Sequence, residues 1–216
     1  KKFIRDISQI VLNDTEYVAC IGFFDGLHLG HQALINQTKS RAKDLGIESM
    51  LITFDPDPWS VLNKKSNVKH ITPLKKKLQV IESFGIDNTV ILHFDSDFSN
   101  LSPQDFVERV LVALGITELV VGSDFKFGNR GKGNVSYLKE AYGDVIKTHE
   151  IKLEAQDDIS ISSTYIIQTI LNGKVDLTSE MLGRDYEISG FVVDGQKVGR
   201  TLGFPTATLK IEDEYV

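Results

Sequence analysis

Residues whose types suit phosphate chemistry are concentrated in segment 22–31, which reads Gly-Phe-Phe-Asp-Gly-Leu-His-Leu-Gly-His. A short apolar run, 17–21, precedes this segment, and a run with helical spacing of apolar residues, 32–45, follows it. A glycine-rich turn between a strand and a helix directs backbone N–H groups and the positive helix end towards one place. His28 and His31 add imidazole donors at the same place. The segment therefore predicts a site for the phosphate groups of a nucleotide.

This segment differs from two common phosphate-binding signatures. It lacks the Gly-x-x-x-x-Gly-Lys-[Ser/Thr] pattern of P-loops and the Gly-x-Gly-x-x-Gly pattern of dinucleotide-binding folds. Alternatively, His28 and His31 could cap the helix, lie on the surface or bind a metal ion. A zinc site would need further Cys, His or carboxylate ligands in a recognisable pattern, which is not evident in the sequence.

Composition and charge are those of an ordinary globular protein, with 25% charged and 41% hydrophobic residues in 216. This length suffices for one α/β domain and a further piece. A formal charge of −6 gives no electrostatic footprint for nucleic acid. The apolar runs are too short for a membrane span.

The single cysteine, Cys20, cannot form an internal disulfide, so we expect a reducing, cytoplasmic location. The sequence does not predict the oligomeric state.

Apolar runs of strand length alternate with runs of helical periodicity along the first two thirds of the chain. Ser102 and Pro103 form a helix start, with serine as N-cap and proline in the first helical position. This alternation predicts an α/β fold, a Rossmann-like parallel sheet with helices on both faces, which binds ligands beyond the carboxyl ends of its strands. The strand candidates cover 17–21, 48–54, 88–94, 118–121 and 145–153, and the helix candidates 32–45, 74–84 and 102–114.

Three further segments follow predicted strands or begin a predicted helix. Segment 53–59 is a proline-rich turn. Segment 121–134 is rich in glycine and asparagine, and it is either a flexible loop or a site where aromatic rings stack on a planar ligand and cations meet a phosphate. Segment 161–167 contains adjacent hydroxyl side chains, which either cap a helix or form an anion cradle. The candidate residues in the last two are Asp124, Phe125, Phe127, Asn129, Arg130, Ser162, Ser163 and Thr164.

The pattern changes to strand-like alternation from Tyr186 onwards. An Asp194-Gly195 turn predicts a hairpin, and a glycine-rich segment, 199–208, follows it. A closed barrel would need several more strands after Val216, so we expect this part to be an incomplete second domain.

Segment 22–31 resembles the His-x-Gly-His signature of the nucleotidyltransferase superfamily, in the form found in its bacterial FAD synthetase branch. Segments 53–58, 122–128 and 161–167 resemble other motifs of that branch, and 199–208 resembles the start of a riboflavin kinase domain. The chain is identified as a member of the bacterial bifunctional riboflavin kinase/FMN adenylyltransferase family. The resemblance implies an FMN adenylyltransferase domain with a nucleotidyltransferase fold over 1–183. It also implies the start of an incomplete β-barrel riboflavin kinase domain over 184–216.

The resemblance implies transfer of AMP from ATP to FMN, which gives FAD and pyrophosphate, with Mg²⁺ bridging phosphate oxygens. The full-length protein would also phosphorylate riboflavin to FMN. His28 and His31 would be the catalytic residues, and Thr206 would contribute to the Mg-ATP site of the kinase. The implied ligand-binding residues are Gly22, Phe23, Phe24, Asp25, Gly26, Asp124, Phe125, Phe127, Asn129, Arg130, Ser162, Ser163, Thr164, Gly199, Arg200 and Thr206.

The chain departs from the family pattern at three of these motifs. Ile167 stands where the family has a phosphate-binding arginine, Thr208 where it has asparagine, and Asp57 where it often has histidine. Isoleucine offers neither the charge nor the bidentate donors of a guanidinium. Two alternatives therefore stay open: a flavin or nucleotide binder without catalysis, and an adenylyltransferase for another phosphorylated cofactor precursor.

Overall fold

We analysed a computed structural model of the chain. It describes residues 1–12, 14–66, 68–152, 161–196, 198–201, 203–204, 206–211 and 214–216. Leu153, at the end of a predicted strand, and Leu202 and Pro205, within the glycine-rich segment, lie outside the described residues.

The central element is a six-stranded sheet in which every neighbouring pair is parallel. Its strand order is β1-β4-β3-β2-β5-β8, so β2 and β3 lie in the middle and their carboxyl ends meet at one edge. The predicted parallel sheet is thus confirmed. The six strands are β1 (Lys2–Ile4), β2 (Tyr17–Ile21), β3 (Glu48–Asp55), β4 (Asn88–His93), β5 (Ile116–Gly122) and β8 (Lys147–Ile151). Two short antiparallel pairs are β6 (Lys126–Phe127) with β7 (Gly133–Asn134), and β9 (Gly190–Val193) with β10 (Thr208–Ile211).

Most helices begin at a residue whose side chain accepts a hydrogen bond from the first turn. Ser102, for example, caps the helix that starts at Pro103, as predicted. That helix continues as a π-helical turn over Val107–Val112. Short 3₁₀ turns cover Ile7–Gln9 and Asn129–Gly131. The α-helices are α1 (Leu29–Leu45), α2 (Pro58–Leu62), α3 (Leu74–Ser83), α4 (Ser96–Ser99), α5 (Pro103–Phe106), α6 (Val135–Tyr142), α7 (Ser163–Leu171), α8 (Val175–Leu182) and α9 (Val198–Thr201).

Strand β2 shows why helices cover both faces of the sheet. Successive side chains of a strand point to opposite faces. Ala19 and Ile21 belong to the hydrophobic cluster that packs against the 103–112 helical segment and α6. Val18 and Cys20 belong to the cluster that packs against α1 and α3. Both faces of the sheet are therefore buried, as a continuous apolar run predicts.

Two sequence-based predictions need correction at the ends of the chain. Cys20 is buried in β2, which is the second strand rather than the first, because the short strand β1 pairs with β4 at the edge of the sheet. The predicted hairpin is present, since β9 pairs antiparallel with β10, but the longer segment 194–207, which contains α9, joins the two strands instead of a turn at Asp194-Gly195. In the described part of the chain, we found no helix with the length and apolar character needed to cross a membrane.

Leu51 lies in the middle of β3 and is fully buried, whereas Leu171, the last residue of α7, is 71% exposed. We expect Leu51→Ala to lower the free energy of unfolding by about 2–5 kcal/mol, since it removes buried methyl groups and leaves a cavity. Leu171→Ala, the matched control, should change it by less than about 0.5 kcal/mol. Chemical denaturation measures both; equal effects would contradict the assignment of Leu51 to the core.

Candidate active site

The turn between β2 and α1 lies at the carboxyl end of the central strands, where parallel sheets bind ligands. Helix α1 begins at Leu29, three residues earlier than the sequence predicts, with His28 as its N-cap. The Nδ1 atom of His28 accepts a hydrogen bond from the backbone N–H of His31, 3.4 Å away. The two imidazole rings stack with their centroids 3.7 Å apart. The pair thus lies at the N-terminus of a long helix, as predicted.

Both imidazoles are neutral at neutral pH. Burial lowers the pKa of His28 to about 4, and the positive charge of Arg184 contributes to this shift. Burial, His28 and Lys77 together hold the pKa of His31 well below its usual range. Because Nδ1 of His28 accepts a hydrogen bond, a neutral His28 carries its proton on Nε2 and can donate from there. Among the described residues, none forms a hydrogen bond with the buried Nδ1 atom of His31, and a buried polar atom of this kind needs an explanation, such as a role in binding or catalysis.

Residues of the turn adopt backbone conformations that cost free energy. Phe24 and Leu27 have φ angles of 58° and 47° although neither is glycine. Both side chains are almost fully buried, so packing holds them in this conformation. At Gly26, with φ of 78°, an added Cβ would lie 2.9 Å from Ile71 Cδ1. Glycine is therefore required there for both conformation and space.

Asp25 supports the turn from within. Its carboxylate accepts hydrogen bonds from the backbone N–H groups of Ile71 and Thr72, at 3.1 and 2.9 Å, and from the Thr72 hydroxyl at 3.2 Å. The same hydroxyl accepts from the N–H of Gly26 at 2.8 Å. Asp25 is only 6% exposed. These contacts fasten the turn to segment 70–72, so the carboxylate has a structural role.

A buried lysine that sequence analysis did not select lies beneath the turn. Lys77, on α3, is 2% exposed, and burial lowers its pKa to about 8. Its Nζ atom donates to the carbonyl of Phe23 at 2.8 Å and lies 3.6 Å from the centroid of the Phe23 ring. Thr53 donates to the same carbonyl at 3.0 Å. The only signal in the sequence was a lysine four residues before Ile81 on the apolar stripe of a predicted helix.

The hydroxyl cluster at the start of α7 serves two different purposes. Ser162 caps the helix by accepting from the N–H of Tyr165 at 3.3 Å. Ser163 donates to the carbonyl of Asp25 at 2.9 Å, so it is brought to the turn. Thr164 is exposed. Ile167 is half-buried and packs against a cluster that includes Ile166, Ile71, Met181 and Leu182.

An aromatic cavity of about 380 Å³ adjoins the start of the turn. Phe125 and Phe127 line it with their rings stacked, their centroids 5.4 Å apart. Gly22 and Phe23 also line it, which joins the cavity to the histidine turn. The predicted Arg130 is present, and residues outside the predicted set also belong to the wall, among them the aromatic residues Phe54, Phe94, Phe98 and Phe106. Such a wall suits a planar, apolar ring system.

Two predicted residues of the same loop do not line this cavity. Asp124 is exposed, and Asn129 donates to the side-chain oxygen of Asn100 at 2.9 Å. Asn129 thus tethers the loop to the segment that precedes α5.

The glycine-rich segment near the chain's end is described only in part. Gly199 and Arg200 belong to α9, and Thr206 is exposed. A Cβ added to Gly199 would lie 2.3 Å from the carbonyl oxygen of Phe204 and 3.0 Å from Thr206 Oγ1, so the segment folds tightly on itself. Among the described residues, no three histidine, cysteine or carboxylate side chains are grouped for a metal ion. The assignment of Thr206 as a metal ligand stays a prediction.

Comparison with known proteins identifies the family of the chain. The family model for FAD synthetase matches residues 11–165, and that for riboflavin kinase matches residues 182–216. A bifunctional riboflavin kinase/FMN adenylyltransferase of Listeria monocytogenes is 41% identical over 94% of this chain and 65% of its own length. One from Buchnera aphidicola of Schizaphis graminum is 38% identical over 97% of this chain and 68% of its own.

A crystal structure of a protein from Streptococcus pneumoniae, named as a macrolide-efflux protein, has the same fold. Its TM-score is 0.90 at 29% identity, over 99% of this chain and 70% of that one.

The parallel sheet and the histidine turn at its carboxyl edge together define an α/β protein of the kind that binds ligands beyond the ends of its strands. More particularly, the chain belongs to the FAD synthetase family, since that family's model covers most of its length. The chain spans about two thirds of the length of its curated relatives: 65% of the Listeria protein and 68% of the Buchnera protein.

The lowered pKa of His28 predicts a pH-dependent stability. Unfolded His28 binds a proton near pH 6.5, and folded His28 only near pH 4. Acid therefore favours the unfolded chain, and this contribution to stability is lost as the pH falls from 6.5 to 4. His28→Asn removes the titration and keeps a good N-cap. We expect the wild type to lose about 3 kcal/mol relative to this variant over that interval. Denaturation at several pH values measures the difference; parallel curves would contradict it.

Proposed function

We propose that this chain transfers AMP from ATP to FMN, forming FAD and pyrophosphate. The observation that carries this proposal is the junction at Gly22 and Phe23, which line the aromatic cavity and lead directly into the turn with His28 and His31. A flavin ring suits the cavity, and phosphate groups suit the turn. A substrate that carries both an aromatic ring system and a phosphate would extend from one to the other.

The chemistry is an in-line displacement at phosphorus. A phosphate oxygen of FMN attacks the α-phosphorus of ATP, a P–O bond forms, and the bond to the leaving pyrophosphate breaks. No covalent intermediate with the protein is needed, so catalysis comes from positioning and from stabilising charge on the transferred group. Mg²⁺ enters with ATP as part of the substrate, bound mainly by phosphate oxygens and water.

The residues of the turn supply donors for this step. Neutral His28 donates from Nε2, while its Nδ1 is occupied by the N–H of His31. His31 stacks on His28 and packs edge-on against Phe24, whose ring centroid is 5.1 Å away. Both rings are thus fixed before the nucleotide binds, which reduces the reorganisation needed in the transition state.

For a protein with this chain and a complete riboflavin kinase domain, we propose a second activity, phosphorylation of riboflavin to FMN. The match of residues 182–216 to the riboflavin kinase family supports it. The product of that reaction is the acceptor of the first. We propose a cytoplasmic location, because Cys20 is the single cysteine of the chain and cannot form an internal disulfide. Burial raises the pKa of its thiol to about 12, so this thiol is unreactive.

The double variant His28→Ala, His31→Ala tests the proposed reaction. We expect FAD formation from ATP and FMN to fall on the order of 100-fold or more, since two preorganised donors are lost. His93→Ala, on strand β4, is the matched control and should keep its activity. Chromatography of the products measures the rate, and melting temperatures verify folding. Near-normal FAD synthesis by the folded double variant would contradict the assignment.

Phe125→Ala tests the flavin half of the site. Phe125 is half-buried and lines the cavity, so its removal takes one face from the bound ring. We expect the KM for FMN to rise about 3- to 10-fold, the equivalent of a lost aromatic contact, with the KM for ATP unchanged. Phe191→Ala, on strand β9 and 64% exposed, is the control. An equal rise in both KM values would show that the cavity does not select the flavin.

A further inference from the structure

An arginine from the far end of the chain reaches the histidine turn. Helix α8 ends at Leu182, Gly183 adopts a left-handed conformation, and Arg184 follows. Its guanidinium donates from Nη2 to the carbonyl of Gly26 at 2.7 Å. From Nη1 it donates to the carbonyls of Leu27 and Leu182, both at 3.2 Å. One side chain therefore holds two consecutive carbonyl groups of the turn.

Gln32, on the first turn of α1, completes this contact. Its Nε2 atom donates to Leu27 at 2.9 Å and to Leu182 at 2.7 Å, the same two carbonyls. We call this set of contacts between Arg184, Gln32 and the three carbonyl groups the carbonyl clasp. Hydrogen bonds from a charged donor are among the stronger ones in proteins, so the clasp fixes the turn firmly to the end of α8.

The planarity of the peptide bond gives the clasp a consequence for the site. In a trans peptide, the carbonyl of one residue and the N–H of the next point in opposite directions. Holding the Gly26 and Leu27 carbonyls on the Arg184 side therefore fixes the N–H groups of Leu27 and His28 on the opposite side. The clasp also provides hydrogen-bond donors for these two carbonyl oxygens, and it fixes the backbone of His28.

The clasp also brings a permanent positive charge to the site. Ile167, on the neighbouring helix α7, offers no charge and packs against a hydrophobic cluster. Arg184 is close enough to His28 to contribute to lowering its pKa. It is partly desolvated, which lowers its own pKa, and its charge is therefore less screened than that of an exposed arginine.

Arg184 lies within the residues that match the riboflavin kinase family, but its side chain contacts residues that match the FAD synthetase family. The riboflavin kinase model begins at residue 182, after the FAD synthetase match has ended at 165. Two further contacts join residues 182–216 to the part of the chain that matches the FAD synthetase family. Glu187 forms an ion pair with Lys76, and the N–H of His70 donates to the carbonyl of Glu214 at 2.8 Å. His70 adjoins the segment that holds Asp25.

We propose that Arg184 is a positioning residue of the adenylyl-transfer site, and that the unit performing this reaction extends through Arg184 rather than ending at residue 183. The proposal rests on the proposed function. Arg184 acts through the backbone of Gly26 and Leu27, and the segment that follows α8 thereby becomes a structural part of the nucleotide turn.

Arg184→Met and Arg184→Lys, made in the chain as it stands, test this role. We expect Arg184→Met to lower kcat for FAD synthesis about 10- to 100-fold, since a small displacement of a catalytic group has effects of this size. The KM for FMN should stay within about two-fold, because Arg184 does not line the aromatic cavity. Arg184→Lys keeps the charge but loses the fork that spans two carbonyls, so it should recover only part of the rate. Arg109→Met, an exposed arginine, is the control.

Two further readouts separate positioning from a general loss of stability. A third variant, Arg184→Ala, removes the whole side chain beyond Cβ, and millimolar guanidinium should restore part of its lost rate and leave Arg109→Met unaffected. The NMR titration of the His28 ring should move to higher pH in Arg184→Met, because a neighbouring positive charge has been removed. The groups facing His28 in that titration include His31 on α1 as well as Arg184.

The outcomes distinguish this proposal from the proposed function. Wild-type protein that makes no FAD would overturn the proposed function, and the His28 titration would still test the clasp. Activity of Arg184→Met within two-fold of wild type, or an unchanged His28 titration, would overturn the role of Arg184. If Arg184→Met does not fold, Arg184→Lys decides: a folded lysine variant with wild-type kcat overturns the proposal, and one with a reduced kcat and unchanged KM for FMN supports it.

Discussion

The site depends on one constraint: the carbonyl oxygens of the turn between β2 and α1 are held by side chains from other elements. A turn that contains Phe24 and Leu27 at positive φ would relax if these contacts were lost. Because its carbonyls are already paired, the N–H groups and the imidazoles keep fixed directions before any ligand binds. The donors are Lys77 and Thr53 to Phe23, Ser163 to Asp25, Arg184 to Gly26 and Leu27, and Gln32 to Leu27.

Because of this constraint, side chains from distant parts of the chain contact the ten-residue segment 22–31. Each donor comes from a different element, so the turn is formed correctly only when the sheet, α3, α7 and the end of α8 are all in place. Lys77 shows that this arrangement costs free energy. Burial disfavours the charged form of its side chain and lowers its pKa to about 8. Its hydrogen bond to Phe23 and the nearby carboxylates of Asp25, Asp55 and Asp57 offset that cost. Activity and fold stability are therefore coupled at this turn.

The sequence predicted the features that repeat along the chain and missed those that depend on packing. The continuous apolar run at 17–21 predicted a buried strand, and the glycine-histidine pattern located the turn. Strand β1 was missed because it is only three residues long. Lys77 was missed because it is one of three consecutive lysines, and only the packing of α3 shows which of them is buried. Arg184 contacts residues 157 and 158 positions away, a separation that no local pattern reports.

The central claim is that this chain transfers the adenylyl group of ATP to FMN. Incubating the chain with FMN, Mg²⁺ and ATP labelled on either the α- or the γ-phosphorus tests it most directly. The account predicts that the α-label appears in FAD and that the γ-label appears only in pyrophosphate. Absence of labelled FAD, or γ-label in the flavin product, would contradict it.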